Sequence, residues 1–299
     1  MDGIIALYKE RGLTSHDCVN RLRKLLHTKK VGHSGTLDPN VDGVLPICVG
    51  SATKVVDFLM THDKVYRGSV TFGFSTETED LDGAEVTRTI LPAPISTDQI
   101  DAEMQTMTGT LTQVPPMYSA VKVKGRKLYE YARAGQTVER PSRQVMIKRF
   151  KRLASPTFDE QSGTQTVAFE VMCSKGTYVR TLAVELGQRL GVPAVMSSLT
   201  RLSSGGFDLA ETWTFEQLTS AIAVGDESFL QPIDRALSDY PVVNLSDYLW
   251  SGVKNGIWLK EAEVNQSASV VALRYQGAIK CLYQKKGAVY KPLKMFSTT

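Results

Sequence analysis

The amino-acid sequence predicts an α+β fold, in which helices flank a sheet and a small β domain follows at the C-terminus. Alternating apolar residues over 64–74 and 167–173 indicate half-buried strands, whereas helical spacing over 179–190 indicates an amphipathic helix. After Pro241 the chain consists of short strand-like segments separated by glycine and polar turns. The 299 residues, 42% hydrophobic and 22% charged, are typical of a globular protein with about two domains.

The N-terminal part is predicted to alternate strand and helix. Apolar residues at 4–8 predict a strand, and the hydroxyl pair at 14–15 can cap the helix that follows. After a glycine-rich loop at 32–43, the run at 44–49 predicts a buried strand. Because proline cannot donate a ladder hydrogen bond, Pro46 favours an edge position for this strand.

The middle of the chain continues the pattern. Ser96 and Gln99 form a capping box that predicts the start of another helix. The segment 113–150 predicts a strand, a Lys-Gly turn and a short helix that ends at Gly135. One more strand is predicted at 195–202.

Positive charge is concentrated in one segment. The chain has a net charge of +4, but residues 113–153 carry eleven basic and two acidic side chains, a local charge of +9. Tyrosines lie between these basic residues, a pattern typical of surfaces that bind a polyanion and stack on its bases. An ordinary solvated surface explains the charge equally well, and the pattern alone leaves both interpretations open.

The sequence gives no support for cofactor chemistry. The four cysteines lie far apart and all four histidines precede residue 63, so metal-ligand spacing is absent. No Walker, dinucleotide-binding or HExxH motif is present, and GHSGT at 32–36 departs from the GxSxG nucleophile elbow at Thr36. We expect no cofactor, no metal and no membrane partner. The lack of a signal segment and the dispersed cysteines predict a cytoplasmic protein.

The loop HSGTLDPNVDG holds the strongest candidate for a catalytic carboxylate. Gly35 and Gly43 permit close backbone approach, and Pro39 biases Asp38 towards an extended conformation. Such a loop can present one carboxylate rigidly. An Asp-Pro pair is also ordinary turn chemistry, so the loop alone does not establish catalysis.

Six segments together closely resemble the TruB family of tRNA pseudouridine-55 synthases. In chain order they are GHSGTLDPNVDGVLPICVGSATKV, KVYRGSVTFG, TETEDLDG, QVPPMYSAVKVKGRKLYEYARAG, CSKGTYVRTLAVELG and SSLTRLSSGGF. The most specific of them is HSGTLDP at 33–39. The resemblance covers residues 3–235 and, more weakly, the tail.

The resemblance implies an isomerase that flips uridine 55 out of the T-arm loop of tRNA and converts it to pseudouridine. Asp38 matches the nucleophile, Tyr66 would stack on the base and assist proton handling, and Arg180 would pair with Asp38. Substrate-contacting roles are implied for His33, Tyr66, Tyr178 and Leu199, and an RNA-binding role for Lys122, Lys124, Arg126 and Lys127. Taken singly, Tyr66 is more typical of a core aromatic than of a catalytic residue, and Tyr178 and Arg180 are more typical of surface residues at a helix start.

The resemblance also implies the pseudouridine synthase fold, with a mixed, mainly antiparallel sheet. A catalytic domain would span 1–238, with a basic RNA-gripping insertion at about 113–150, and a small RNA-binding β domain would span 239–299. We expect a monomer whose partner is tRNA.

The chemistry of the candidate residues agrees with this assignment. A carboxylate with an ordinary pKa of about 3.9 is ionised at neutral pH, and Arg180 would keep Asp38 charged and oriented. An apolar wall at Leu199 would exclude the water that could intercept a detached base. Attack on the sugar or on the base ring both remain open. So do two other functions: a non-enzymatic RNA-binding protein, and a nucleoside glycosidase, which needs a second acid. Asp80 is the next candidate carboxylate.

Overall fold

The structure, a computed structural model, describes residues 1–298. In this part of the chain the α-helices are α1 (Ser15–Leu25), α2 (Val56–Thr61), α3 (Thr97–Thr106), α4 (Leu128–Arg133), α5 (Val179–Arg189), α6 (Phe215–Ala223), α7 (Asp247–Val253) and α8 (Glu261–Val264). The strands are β1 (Gly3–Lys9), β2 (Val31–His33), β3 (Asp42–Val49), β4 (Lys64–Phe72), β5 (Phe74–Thr76), β6 (Glu85–Arg88), β7 (Gly109–Gln113), β8 (Lys122–Val123), β9 (Arg126–Lys127), β10 (Arg143–Arg152), β11 (Thr157–Asp159), β12 (Thr164–Cys173), β13 (Ala194–Ser204), β14 (Phe207–Asp208), β15 (Val242–Asn244), β16 (Leu259–Lys260), β17 (Val270–Tyr275), β18 (Ala278–Lys286) and β19 (Val289–Met295).

A ten-stranded sheet forms the centre of the fold. Its main path runs β1-β3-β13-β4-β12-β10-β7, with β2, β11 and β14 paired at its sides. All of these pairings are antiparallel except that between β3 and β13, which is parallel. Helices α1, α3 and α5 bury apolar residues against the sheet in one large core. The predicted mixed, mainly antiparallel sheet with flanking helices is therefore confirmed.

A second sheet follows in the C-terminal part, with the order β15-β17-β18-β19-β16. Its strands cover the predicted strand-like segments after Pro241. Ile279 and Leu282 pack in a core cluster that also contains Ile4 and Val44, so the second sheet is joined to the outer face of the first by buried apolar contact. Within residues 1–298, no helix is long and apolar enough to cross a membrane.

The strand that contains Pro46 is not at a sheet edge, and this prediction was wrong. Strand β3 lies between β1 and β13. On the side of β3 opposite β1, β2 pairs with residues 47–49 and β13 with residues 42–43, so Pro46 falls in the gap between these two ladders. Its carbonyl accepts a hydrogen bond from the Ser34 N–H (3.0 Å), and the missing donor interrupts no ladder.

The parallel contact between β3 and β13 depends on Gly43. This residue has a φ of +110° and pairs with Arg201 of β13, and a Cβ built on it would overlap the Arg201 backbone. Only glycine combines this φ with so close an approach. Gly43 therefore fixes where the glycine-rich loop joins the sheet.

We predict that Gly43→Ala destabilises the protein far more than Gly12→Ala. Both positions have positive φ, but Gly12 (φ +85°) has open space around its Cβ position. Gly12→Ala should cost roughly 1–2 kcal/mol of conformational strain, and Gly43→Ala should cost about 1–3 kcal/mol more because of the backbone overlap. Urea unfolding of the two variants measures the difference, and equal losses would contradict the role given to Gly43.

Candidate active site

A cavity of about 270 Å³ lies beside the loop that carries Asp38. Of the residues singled out in the sequence, it is lined by Asp38, Tyr66, Tyr178, Arg180 and Leu199. The structure thus brings together residues that are up to 161 positions apart in the chain. Of the residues for which the resemblance implies a catalytic or substrate-contacting role, His33 is the exception: it lies on β2 and is not among the lining residues.

Arg180 is the most completely held group in the cavity wall. Its side chain is 5% exposed, and its Nε lies 2.9 Å from Oδ2 of Asp38. The two terminal nitrogens donate to backbone carbonyls, Nη1 to Thr78 (2.8 Å) and Nη2 to Tyr118 (2.9 Å). Because every nitrogen has an acceptor, the guanidinium is fixed and directed at the carboxylate.

A second carboxylate, Asp80, shares this arginine at 3.7 Å from Nε. Its other oxygen accepts hydrogen bonds from the Thr78 hydroxyl and from the Asp82 N–H, the latter at 3.1 Å. Asp80 is therefore anchored by its own turn, whereas 39% of the Asp38 side chain remains exposed. The geometry makes Asp38 the available carboxylate of the two.

The pKa of Asp38 is raised above its ordinary value. Burial of the carboxyl is the largest cause, and the negative charge of Asp80 acts in the same direction, while Arg180 opposes both. The expectation of an ordinary pKa near that of a free carboxyl is therefore wrong. The physical reason for the higher pKa is desolvation of the carboxyl, which the sequence of the loop does not show.

Tyr66 forms a buried wall of the cavity from β4. Burial raises the pKa of its hydroxyl, and the guanidinium of Arg201 beside it acts in the opposite direction. Arg201 is 1% exposed; its Nε donates to the Val44 carbonyl (2.7 Å) and its Nη2 to the Gly35 carbonyl (3.3 Å). Arg201 therefore connects the tyrosine strand to the Asp38 loop, a role that sequence reasoning missed.

Lys9 is a second missed residue. It is fully buried, and its Nζ donates to the carbonyls of Glu10 (3.0 Å), Pro39 (3.0 Å) and Val41 (2.7 Å). All three ammonium hydrogens are used, two of them on the loop that follows Asp38. In the sequence Lys9 belongs to a short charged run, so no local signal separates it from a surface lysine.

The side chain of Gln113 holds the start of α5, where Tyr178 lies. It donates to the Tyr178 carbonyl (3.1 Å) and accepts from the Tyr178 N–H (2.7 Å). The second bond pairs the Tyr178 N–H at a helix start where no capping side chain is present, and together the two bonds fix the backbone of Tyr178. Gln113 is 1% exposed and was also not predicted as a site residue.

The basic segment divides into two parts. On β10, four of the basic side chains form ion pairs with acids from elsewhere: Lys148 with Asp63, Arg149 and Lys151 with Glu170, and Arg152 with Asp101. On the β8–β9 hairpin, Lys122, Lys124 and Arg126 are exposed and Lys127 is partly exposed. Neither Lys122 nor Lys124 has a carboxylate partner among residues 1–298. The unpaired positive charge therefore occupies a shorter part of the chain than the sequence pattern at 113–153 indicates.

Aromatic rings lie under the two remaining hairpin residues. The guanidinium of Arg126 stands 4.5 Å from the ring centroid of Tyr131, and Nζ of Lys127 stands 5.3 Å from that of Tyr129. Cation–π contacts of this kind order the side chains without neutralising their charge.

Among residues 1–298, no group of three or more His, Cys, Asp or Glu side chains could hold a metal ion.

A partly exposed carboxylate held on a buried arginine in the wall of a cavity is typical of the active site of an enzyme. Known proteins are similar to this chain in fold and in sequence. In fold the chain is similar to one in the "Crystal Structure of a Cbf5-Nop10-Gar1 Complex", with a TM-score of 0.74 and 26% identity over 99% of this chain and 85% of that one.

The family is equally defined. The family model described as "TruB family pseudouridylate synthase (N terminal domain)" matches residues 23–179, and "tRNA pseudouridylate synthase B C-terminal domain" matches residues 180–238. The chain is 62% identical to tRNA pseudouridine synthase B of Levilactobacillus brevis and 56% identical to that of Lactiplantibacillus plantarum, in each case over 99% of both chains. This chain belongs to the TruB family of pseudouridylate synthases.

We predict that Asp80→Asn lowers the pKa of Asp38. Removing a neighbouring negative charge makes ionisation of Asp38 easier, so its titration should move to lower pH. The carboxyl carbon of Asp38, followed by ¹³C NMR against pH, measures the shift. Glu261→Gln, which removes a surface carboxylate paired with Lys285, is the control and should leave Asp38 unchanged. Titration of wild-type Asp38 at or below the ordinary 3.8 would contradict the electrostatic picture.

Proposed function

We propose that this enzyme converts uridine 55 in the T-arm loop of tRNA to pseudouridine, with Asp38 as the nucleophile. The observation that carries the proposal is the Asp38–Arg180 pair, at 2.9 Å, in the wall of a cavity that Tyr66 and Leu199 also line. The names of the relatives in this family supply the substrate class.

The reaction requires the target base to leave its stack and enter the cavity. Unstacking costs a few kcal/mol, which stacking on Tyr66 and phosphate contacts offset. Asp38 bonds to C1′ or to the base ring, the C1′–N1 bond breaks with its electron pair moving to the base, and carbon 5 of the base bonds to C1′. The bond to Asp38 then breaks with its electron pair returning to the carboxylate, which is regenerated. The proton on carbon 5 is lost and N1 gains one, so atoms and charge balance without an oxidant or water. Val41 and Leu199 provide apolar walls that disfavour hydrolysis.

The RNA-binding and domain assignments are part of the same proposal. A catalytic domain at 1–238 carries the basic insertion at about 113–150, and residues 239–299 form a C-terminal RNA-binding domain. The exposed lysines of the β8–β9 hairpin contact tRNA phosphates, and His33 supports the loop on which the substrate binds. The protein acts as a monomer in the cytoplasm.

The direct test is to incubate the protein with an unmodified tRNA transcript and no cofactor, and to map pseudouridine by chemical derivatisation. The expected result is modification at position 55 of the T-arm loop. Modification at another position would overturn the assignment of the site, and a free uracil product would indicate a glycosidase instead.

We predict that Asp38→Asn abolishes turnover and leaves tRNA binding intact. The substitution keeps the size of the side chain and removes the charged nucleophile, so the single-turnover rate should fall by several powers of ten, at ~1.4 kcal/mol per decade. Asp42→Asn is the matched control, because Asp42 lies four residues after Asp38, at the start of β3, and does not line the cavity. Easily measured turnover by a folded Asp38→Asn variant would exclude Asp38 as the nucleophile.

We predict that neutralising the hairpin weakens tRNA binding, whereas neutralising β10 does not. Lys122→Gln with Lys124→Gln removes unpaired charges, and each lost phosphate contact should reduce the salt slope of log K by ~0.7–0.9. The control, Lys148→Gln with Lys151→Gln, changes the net charge equally but removes lysines that already face Asp63 and Glu170. Filter binding across a salt series compares the two, and equal slopes would contradict the hairpin assignment.

A further inference from the structure

The cationic groups that hold the cavity together are already occupied by protein atoms. Arg180 is bound to Asp38 and two carbonyls, and Arg201 donates to the carbonyls of Val44 and Gly35. Two other lining groups, Lys64 and Ser119, have hydrogen-bonding capacity left over.

Lys64 is a buried lysine with one unused hydrogen. The residue is 6% exposed, and its Nζ donates to the carbonyls of Met60 (2.9 Å) and His62 (2.7 Å). An ammonium carries three hydrogens, and the third has no protein acceptor among residues 1–298. Lys64 lies two positions before Tyr66 on β4, so both side chains project from the same face, and both line the cavity.

Ser119 is a buried hydroxyl without a partner. The residue is 5% exposed and lines the cavity, yet its Oγ forms no hydrogen bond with any described residue. Its backbone carbonyl, in contrast, accepts from the Tyr129 N–H (3.1 Å). A buried hydroxyl normally finds a partner, so an unpaired one in a cavity indicates a site for a polar ligand.

We propose that Lys64 and Ser119 recognise the edge of the target uracil, with Lys64 donating its third hydrogen to a carbonyl oxygen of the base. Uracil presents two carbonyl oxygens and the N3–H, which match a donor-only ammonium and a hydroxyl that can donate or accept. The inference rests on the proposed function and adds two substrate-contacting residues to it.

The contact would matter most while the base is detached. The electron pair of the broken C1′–N1 bond leaves negative charge on the uracil oxygens, and a preorganised cationic donor stabilises that charge in a desolvated site. Lys64 keeps its own proton throughout. Lys175 also lines the cavity but is exposed to water, which weakens any such effect.

The ionisation of Lys64 gives this contact a pH signature. Burial lowers the pKa of Lys64 to about 8, and the positive charges of Arg201 and Lys175 act in the same direction, while Cys173 and Asp63 oppose them. The charged form is needed and is lost as pH rises through this pKa. Tyr66, whose pKa is raised, and Cys173, with a pKa of about 11, do not ionise near pH 8.

The first experiment measures single-turnover rates on T-arm stem-loop RNA with uridine, 2-thiouridine or 4-thiouridine at the target position. Sulfur accepts hydrogen bonds poorly, so one thio-substitution should slow the wild type roughly tenfold or more, as expected for a lost bond to a charged donor. The thio-substitution that slows the wild type should not slow Lys64→Met, because this variant lacks the donor. The thio-substitution at the other carbonyl should change the rates of the wild type and of Lys64→Met by the same factor. Additive effects of Lys64→Met with both sulfur positions would overturn the contact.

A second experiment follows the rate against pH. Wild type should lose activity above about pH 8, and Lys64→Arg, which stays charged, should lack this decline. Because Lys64→Arg keeps hydrogen-bond donors for the carbonyls that Lys64 binds, it also serves as the test variant in case Lys64→Met does not fold. A decline that persists in Lys64→Arg would overturn the role of Lys64.

Ser119→Ala separates binding from structure. Because the hydroxyl has no protein partner, the variant should be as thermally stable as the wild type or more so, and yet slower in single turnover. An unchanged rate would remove Ser119 from the proposal. Absence of pseudouridine with the wild type on uridine RNA would instead refute the proposed function, so the two failures are distinct.

Discussion

The buried guanidinium of Arg180 is the interaction on which the rest of the site depends. It joins three segments that are remote in sequence: the loop of Asp38, the turn of Thr78 and Asp80, and the start of the basic insertion at Tyr118. A buried charge is stable only when its partners are all present, since removal of one leaves it uncompensated. The three segments must therefore take up their positions together, and the cavity forms where they meet.

The sharing of Arg180 between two carboxylates also affects the pKa of Asp38. A carboxylate held in a tight, exclusive ion pair has a low pKa and is correspondingly a weak nucleophile. Here burial and the charge of Asp80 outweigh the pairing and raise the pKa of Asp38 instead. Asp80, anchored by Thr78 and the Asp82 backbone, takes up part of the positive charge. Arg180 therefore orients the carboxylate of Asp38, and the pKa of this carboxyl is nevertheless raised.

Local sequence patterns predicted where helices begin. The burial and the ion pairing of charged side chains depend on long-range contacts, which local patterns do not show. The caps of α1 and α3 are made by neighbours in the sequence. Helix α3 begins after the predicted capping box at Ser96, and Thr14 is the one of the hydroxyl pair at 14–15 that caps α1. The partners of buried Lys9 and Arg201 lie about 30 and 160 residues away, so nothing near these residues marks them as buried. Likewise, the sign of the charge at 113–153 was readable, but not its neutralisation on β10 by distant acids.

The basic segment and the cavity beside Asp38 are structurally connected. Consecutive residues make the connection: the Tyr118 carbonyl binds Arg180, and the Ser119 side chain lines the cavity while its carbonyl binds the N–H of Tyr129 in α4. Tyr129 in turn lies beneath Lys127 of the basic hairpin. If tRNA phosphates bind at the hairpin, as proposed, they act on the same short stretch of chain that positions the arginine. Free energy from such remote contacts can then be used to align the groups that act on the reacting base, and this use of binding energy raises turnover rather than affinity alone.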